Sequence, residues 1–224
     1  MVRRIVACGG QQLLFPALTT YLFGLARRLR PKVLFLGTAS GDSAGYLLIF
    51  YEALAGVECE PSHLALFDRT VDDIDAHVRS HDVVIVGGGN TASMLAIWRL
   101  HGVEDALRSA YADGTLLSGW SAGCLCWFEG GITDSFTPNL GALGDDLGIL
   151  SGSACPHYDS QDARRPVYAR EIAAGMAPGI ALEDGVAARY DDERLVEVVS
   201  ARPGGRAFHV DASGERPLAV RALA

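Results

Sequence analysis

No run of the 224 residues is apolar for long enough to cross a bilayer, so no membrane-spanning helix is expected. Basic clusters are equally scarce. Nineteen Lys and Arg are scattered among twenty-seven Asp and Glu, with small pairs at Arg3-Arg4, Arg27-Arg28 and Arg164-Arg165. A net charge of -8 argues against nucleic-acid binding, which needs Lys and Arg gathered against phosphates. The chain also lacks a long polar or Pro/Ser-rich linker, an internal repeat and a low-complexity segment, so residues 1–224 read as one domain. The opening MVRRIVACGGQQLLF is too short in its apolar part, and too broken by Gly9, Gly10, Gln11 and Gln12, to be a signal peptide. It reads as a buried strand and turn. Five cysteines, an odd number in a chain this long, fit a reducing, cytoplasmic setting. Cys124, Cys126 and Cys155 lack a C-x-x-C partner and histidines at ligand spacing, so they are expected to be buried thiols, with no metal.

What the chain does have is a 49% hydrophobic content arranged in short β-branched runs that alternate with longer amphipathic stretches. Strands are predicted at Arg4 to Cys8, Lys32 to Gly37, Asp82 to Val86 and Thr115 to Gly119, and helices at Leu13 to Leu29, Tyr46 to Gly56 and Ala92 to Ala112. Runs such as Val33-Leu34-Phe35-Leu36 are apolar on both faces, as a parallel sheet covered by helices requires. The expected fold is an α/β, three-layer, doubly wound, mostly parallel sheet. In the second half, strands are predicted near Ile149 to Ala154, Gly179 to Leu182, Val186 to Tyr190, Leu195 to Ser200 and Arg206 to Val210. The last three read as an antiparallel meander, with turns at Asp191-Asp192-Glu193 and Pro203-Gly204-Gly205.

Two pentapeptides fit the nucleophile-elbow pattern G-x-S-x-G, at Gly41 to Gly45 and Gly119 to Gly123. An elbow serine sits on a tight turn at the end of a strand and the start of a helix. Ser121 meets that description, since Leu116-Leu117 leads through Ser118 and Gly119 into the turn. Ser43 lies several residues beyond its strand and reads as a loop, with Asp42 or Ser43 as the N-cap of the next helix. A serine nucleophile needs a base. Of six histidines, His63, His77, His81 and His101 precede the elbow in helical or loop contexts, and His209 lies in the C-terminal hairpin. His157 stands at a strand exit, the edge where α/β sheets gather their active residues. The Gly87-Gly88-Gly89-Asn90-Thr91 turn lacks both the G-x-G-x-x-G spacing and a Walker-type ending. It suits an oxyanion role, its backbone N–H acting with that of Ala122.

Together, VGGGNT at Val86 to Thr91, GWSAG at Gly119 to Gly123, CPHYD at Cys155 to Asp159 and ALEDGVAA at Ala181 to Ala188 resemble the dipeptidase E and cyanophycinase family of serine peptidases. The segments CWFEGGITDSF and RRPVYAREI look most like the bacterial peptidase E-like branch. The resemblance implies a fold related to class I glutamine amidotransferases and a cofactor-free serine exopeptidase. Such an enzyme cleaves short peptides near a free amino terminus, and an N-terminal aspartate is a candidate preference. By position Ser121 would be the nucleophile, His157 the base, and Gly89 and Ala122 the oxyanion donors. Asn90 and Arg165 would shape the substrate pocket, Arg165 pairing with an acidic side chain. The triad carboxylate stays open among Asp184, Glu183, Asp159 and Asp134. Asp184 is favoured because it precedes Gly185 as the family carboxylate precedes a glycine, and strand neighbours face opposite ways, so Glu183 and Asp184 cannot both reach the imidazole. The expected partner is a small peptide, with the chain a monomer or homodimer. The competing functions are an esterase or acyltransferase on the same elbow, and a non-catalytic metabolite-binding module. The serine at the elbow argues against a glutamine amidotransferase.

Overall fold

Val33 and Phe35 point to one side of their strand and Leu34 and Leu36 to the other, and all four are fully buried. That pattern recurs at Val83 to Val86 and sets the architecture: a central sheet with apolar layers on both faces. The computed structural model describes all 224 residues. Along the chain run β1 (Arg4–Cys8), α1 (Pro16–Gly24), β2 (Lys32–Leu36), α2 (Ala44–Leu54), β3 (Glu60–Leu64), α3 (Ile74–Arg79), β4 (Val83–Val86), α4 (Thr91–His101), α5 (Val103–Ala112), β5 (Leu116–Trp120) and α6 (Ala122–Leu125). There follow β6 (Gly130–Thr133), β7 (Gly141–Gly144), β8 (Ser153–Cys155), α7 (Arg164–Ala173), β9 (Gly179–Leu182), β10 (Val186–Asp191), β11 (Arg194–Ser200), β12 (Ala207–Asp211), β13 (Gly214–Pro217) and β14 (Arg221–Ala222).

The central sheet has the order β14-β11-β10-β1-β5-β4-β2-β3, and its five strands from β1 to β3 are mutually parallel. On one face Val33, Phe35, Val83 and Ile85 pack with Leu18 and Leu22 of α1 and Phe50 and Leu54 of α2. On the other, Leu34, Leu36, Val84 and Val86 share a core with Trp98 of α4, Leu107 of α5, and Ile180 and Leu182 of a second sheet. That six-stranded sheet, β13-β12-β9-β8-β6-β7, has α7 on its far side, where Tyr168 and Ile172 meet Ala181 and Phe208.

The α/β class and the parallel strands agree with the sequence, and four details differ. The strand expected near Ile149 to Ala154 is confined to Ser153–Cys155, the residues before it forming bends. The helix expected over Leu13 to Leu29 is confined to Pro16–Gly24, because a proline favours the first helical turn and places the start there. The helix expected over Ala92 to Ala112 is two, α4 and α5, divided at Gly102 with φ 73°. The expected C-terminal meander is split between the sheets. β10 and β11 pair antiparallel beside β1, whereas β12 pairs with β9 and β13. Turn residues reveal where a chain reverses and not which edge it joins, and here β12 takes the free edge of β9.

One buried group makes stability depend on pH. Asp146 is 9% exposed, neither carboxylate oxygen has a partner, and burial raises its pKa to about 7, with Arg99 opposing the shift. A raised folded pKa means that the stabilisation from protonation is complete below the unfolded value near 4 and is lost as pH rises through about 7. Asp146→Asn should therefore raise stability near pH 8 by about 2–4 kcal/mol, have little effect near pH 4, and flatten the slope between. Denaturant titrations of both chains at several pH values check this, and identical slopes would refute it.

Candidate active site

The Ser121 backbone lies at φ 56°, ψ -113°, a left-handed turn that a serine adopts only under tertiary constraint. The constraint comes from its two glycines. A Cβ at Gly119 would fall 2.4 Å from the Gly123 carbonyl oxygen, and one at Gly123 would fall 2.2 Å from that of Val86. Only glycine at both positions lets the chain turn from β5 directly into α6, whose Cys124 and Leu125 amides donate to the Ser121 carbonyl. Ser43, at the other pentapeptide, occupies the N-cap position of α2 with φ -54°, though its side chain makes no capping bond. Asp42 instead ties down the loop, its carboxylate accepting the Leu66 and Phe67 amides at 2.6 and 3.1 Å.

His157 also has a left-handed backbone, with φ 55°. Its amide donates to the Gly9 carbonyl at 3.1 Å, just past the end of β1. Its Nδ1 is 2.7 Å from Asp184 Oδ1. That bond holds the Asp184 carboxyl below the usual carboxylate range, with lesser help from Ser160 and Arg202. Asp184 fits because Gly10 has no side chain: a Cβ there would lie 2.1 Å from Asp184 Oδ1. Since Cys8 is in register with Trp120, the Gly9-Gly10 turn lies beside Ser121. From the other side, Gly88 leaves β4 against the serine, a Cβ there falling 3.2 Å from that of Ser121. The ends of β1, β5 and β4 thus bring the serine, the imidazole with its carboxylate and the triple-glycine turn to one sheet edge. No hydrogen bond joins Ser121 Oγ to the imidazole in this structure; such catalytic bonds commonly close only when substrate binds. Ser121 and His157 are both half-buried and line none of the four principal cavities.

The other candidate carboxylates are occupied or exposed. Glu183, almost wholly buried, accepts from Arg202 at 3.0 Å and from Arg206 at 2.8 Å, and makes no bond to His157. Asp159 accepts the Asp184 amide at 2.9 Å and binds Arg202. Asp134 is exposed. Asn90 spends its side chain on the fold, its Oδ1 capping α4 through the Ser93 amide and its Nδ2 donating to the Ser135 carbonyl. Arg165 pairs with Glu215 at 2.5 Å and lies over the Tyr158 and Phe208 rings, 4.6 and 5.0 Å from their centres. Sequence reasoning missed Glu215, whose strand β13 it did not anticipate. It also missed Arg202, whose partners Asp159 and Glu183 are distant in the chain.

Three of the remaining histidines have other partners, and His77 Nε2 is buried without one. His63 bonds Tyr51, His81 bonds Ser62, and His209 lies 3.6 Å from Asp211. All five cysteines are buried and unpaired, and burial raises the Cys8 and Cys155 thiols to about 12 and Cys124 and Cys126 well up, so they stay protonated.

Residues 5–198 match peptidase family S51. The chain belongs to this family. It is a serine-type peptidase of the dipeptidase E kind, in agreement with the resemblance drawn from its motifs. Over 231 residues it is 39% identical to the uncharacterized peptidase YgaJ of Bacillus subtilis (strain 168), covering 99% of this chain and all of that one. Two solved structures share the fold at 17% identity. One, a peptidase from an acI-B1 actinobacterium, aligns with TM-score 0.73 over 98% of this chain and 95% of its own. The other, a putative peptidase E protein from Listeria monocytogenes EGD-e, aligns with TM-score 0.66 over 88% of this chain and 98% of its own. Both agree with the parallel, three-layer S51 architecture.

Proposed function

We propose that this S51 peptidase is an exopeptidase that cleaves short peptides next to a free amino terminus, using Ser121 as nucleophile, His157 as base and Asp184 as the orienting carboxylate. The observation that supports the reading is the 2.7 Å bond between Asp184 and His157 Nδ1, at the same strand ends as the left-handed Ser121 turn. An ionised Asp184 accepts the Nδ1 proton, which leaves the Nε2 lone pair as the basic site. His157 Nε2 removes the Ser121 hydroxyl proton as Oγ attacks the scissile carbonyl carbon. The resulting oxyanion accepts from the Gly89 and Ala122 amides. His157 then gives its proton to the departing amine, forming an acyl-enzyme. Water, deprotonated by the same imidazole, releases the acyl group and restores the serine. No step needs a metal or cofactor.

The pairing of Arg165 with Glu215 weakens the case for an acidic N-terminal side chain, because the guanidinium already has its carboxylate and two aromatic rings. Asn90 acts on the pocket indirectly, by holding the Ser135 loop beside the glycine turn. Arg165→Met is expected to change kcat/KM for Asp-Leu and Ala-Leu alike, by less than about 5-fold in their ratio. The test is a mass-spectrometric panel of dipeptides and tripeptides with free and acetylated amino termini, given to both chains. Cleavage confined to free amino termini supports the exopeptidase. Equal cleavage of acetylated peptides, or faster turnover of simple esters than of any peptide, refutes it. Selective loss of Asp-Leu hydrolysis in Arg165→Met would return acidic recognition to that side chain.

A further inference from the structure

Two residues beyond His157, Asp159 directs its carboxylate toward the backbone that carries Asp184. Its Oδ1 accepts the Asp184 amide at 2.9 Å, and its Oδ2 accepts from Arg202 Nη2. The same Arg202 nitrogen donates to Glu183 Oε2 at 3.0 Å. Arg206 holds Glu183 from behind, through its backbone amide at 2.9 Å and its Nε at 2.8 Å. The turn bearing Asp184 is therefore gripped on both sides by one cation, which arrives from the loop between β11 and β12.

We propose that Arg202 is a positioning residue for the His157–Asp184 pair, acting through Asp159 and Glu183 to fix the Asp184 carboxylate and to balance the charge around the imidazole. The proposal rests on the assignment of His157 as base. Asp184 bonds the ring directly, Asp159 bonds the Asp184 amide, and Arg202 neutralises Asp159, the carboxylate that makes no bond to the ring. The other charged groups nearby are already matched. Glu183 pairs with Arg206, and the Arg165–Glu215 pair, joined to Tyr158, flanks the histidine segment from α7 and β13. Without Arg202, Asp159 becomes an uncompensated anion hydrogen-bonded to the backbone of the residue that holds the ring, and it favours the imidazolium. Without the Asp159 charge, Arg202 is in excess and disfavours it. The two variants should therefore shift the imidazole in opposite directions, whereas a scaffold loosened by either change would shift it one way.

The experiment is a carbon-13 NMR titration of histidine-labelled protein, with the His157 signal assigned by its loss in His157→Asn. Arg202→Met should raise the His157 pKa by about 0.5–1 unit and Asp159→Asn should lower it by a similar amount. Arg202→Lys should stay close to the parent, and it keeps the test open if Arg202→Met does not fold. The acid limb of kcat/KM should move with each titration. Shifts of the same sign, or none, overturn the clamp. A His157 signal that moves as expected while the acid limb stays fixed keeps the clamp but removes His157 as the base, so the two failures are separable.

Discussion

Ser121→Ala is expected to lower peptide turnover by about 10,000-fold or more while leaving the fold intact. The alanine keeps the Cβ that the elbow already accommodates and removes only the Oγ, which makes no hydrogen bond that holds the turn. The turn itself is imposed by the Gly119 and Gly123 contacts and by α6, whose first amides use the Ser121 carbonyl and not its side chain. Unfolding curves of the two chains should nearly coincide. Ser118 is no substitute nucleophile: it is fully buried and donates to the Val6 carbonyl and the Gln12 side chain. Residual turnover in the variant within about 10-fold of the parent would place the chemistry on another group.

Asp184→Asn is the second large effect, with kcat falling by about 100- to 10,000-fold and little change in KM. Asparagine keeps the shape but offers either an amide donor or a weaker acceptor to Nδ1, so the imidazole loses the partner that fixes its tautomer and stabilises its cation. Because Asp184 has its pKa depressed, chiefly by the His157 bond, it is ionised throughout the neutral range. Its contribution to stability is present above the unfolded value near 4 and lost as pH falls through the lower folded one. The deficit of the variant should therefore persist from about pH 6 to pH 9. Glu183→Gln is the matched control. It removes a buried charge held by two arginines, so it should cost about 1–3 kcal/mol of stability while the folded fraction keeps its kcat within about 10-fold. Steady-state kinetics and denaturant melts of the two variants, run side by side, distinguish a carboxylate at the imidazole from one that supports it.

The parts that were legible in the sequence are those whose physics is local. Val33 to Leu36 and Val83 to Val86 announce a two-sided sheet because each residue must be apolar whichever face it takes. Gly119 and Gly123 announce the elbow because no larger residue fits, and the decoy at Ser43 was separable by its distance from a strand end. The choice between Glu183 and Asp184 was half legible. Only Asp184 bonds His157, but strand alternation is not the reason, because β9 ends at Leu182 and both residues lie in the turn beyond it; the outcome depends on Gly10, more than 170 positions away, leaving room for the carboxylate. Arg165 illustrates the opposite failure. A free guanidinium looked available in the sequence, and its neutralising Glu215 comes from a strand that pairs only after β12 joins the second sheet. Arg202 was invisible for the same reason, since its bonds span 43 and 19 positions of chain.

The most direct measurement is active-site labelling with a fluorophosphonate, followed by peptide mapping, with residual peptidase activity assayed on the same samples. One adduct per chain is expected, on Ser121, with activity lost in step with its formation and no adduct in Ser121→Ala. An adduct on Ser121 with activity retained, or activity lost with Ser121 unlabelled and another residue modified, would contradict it.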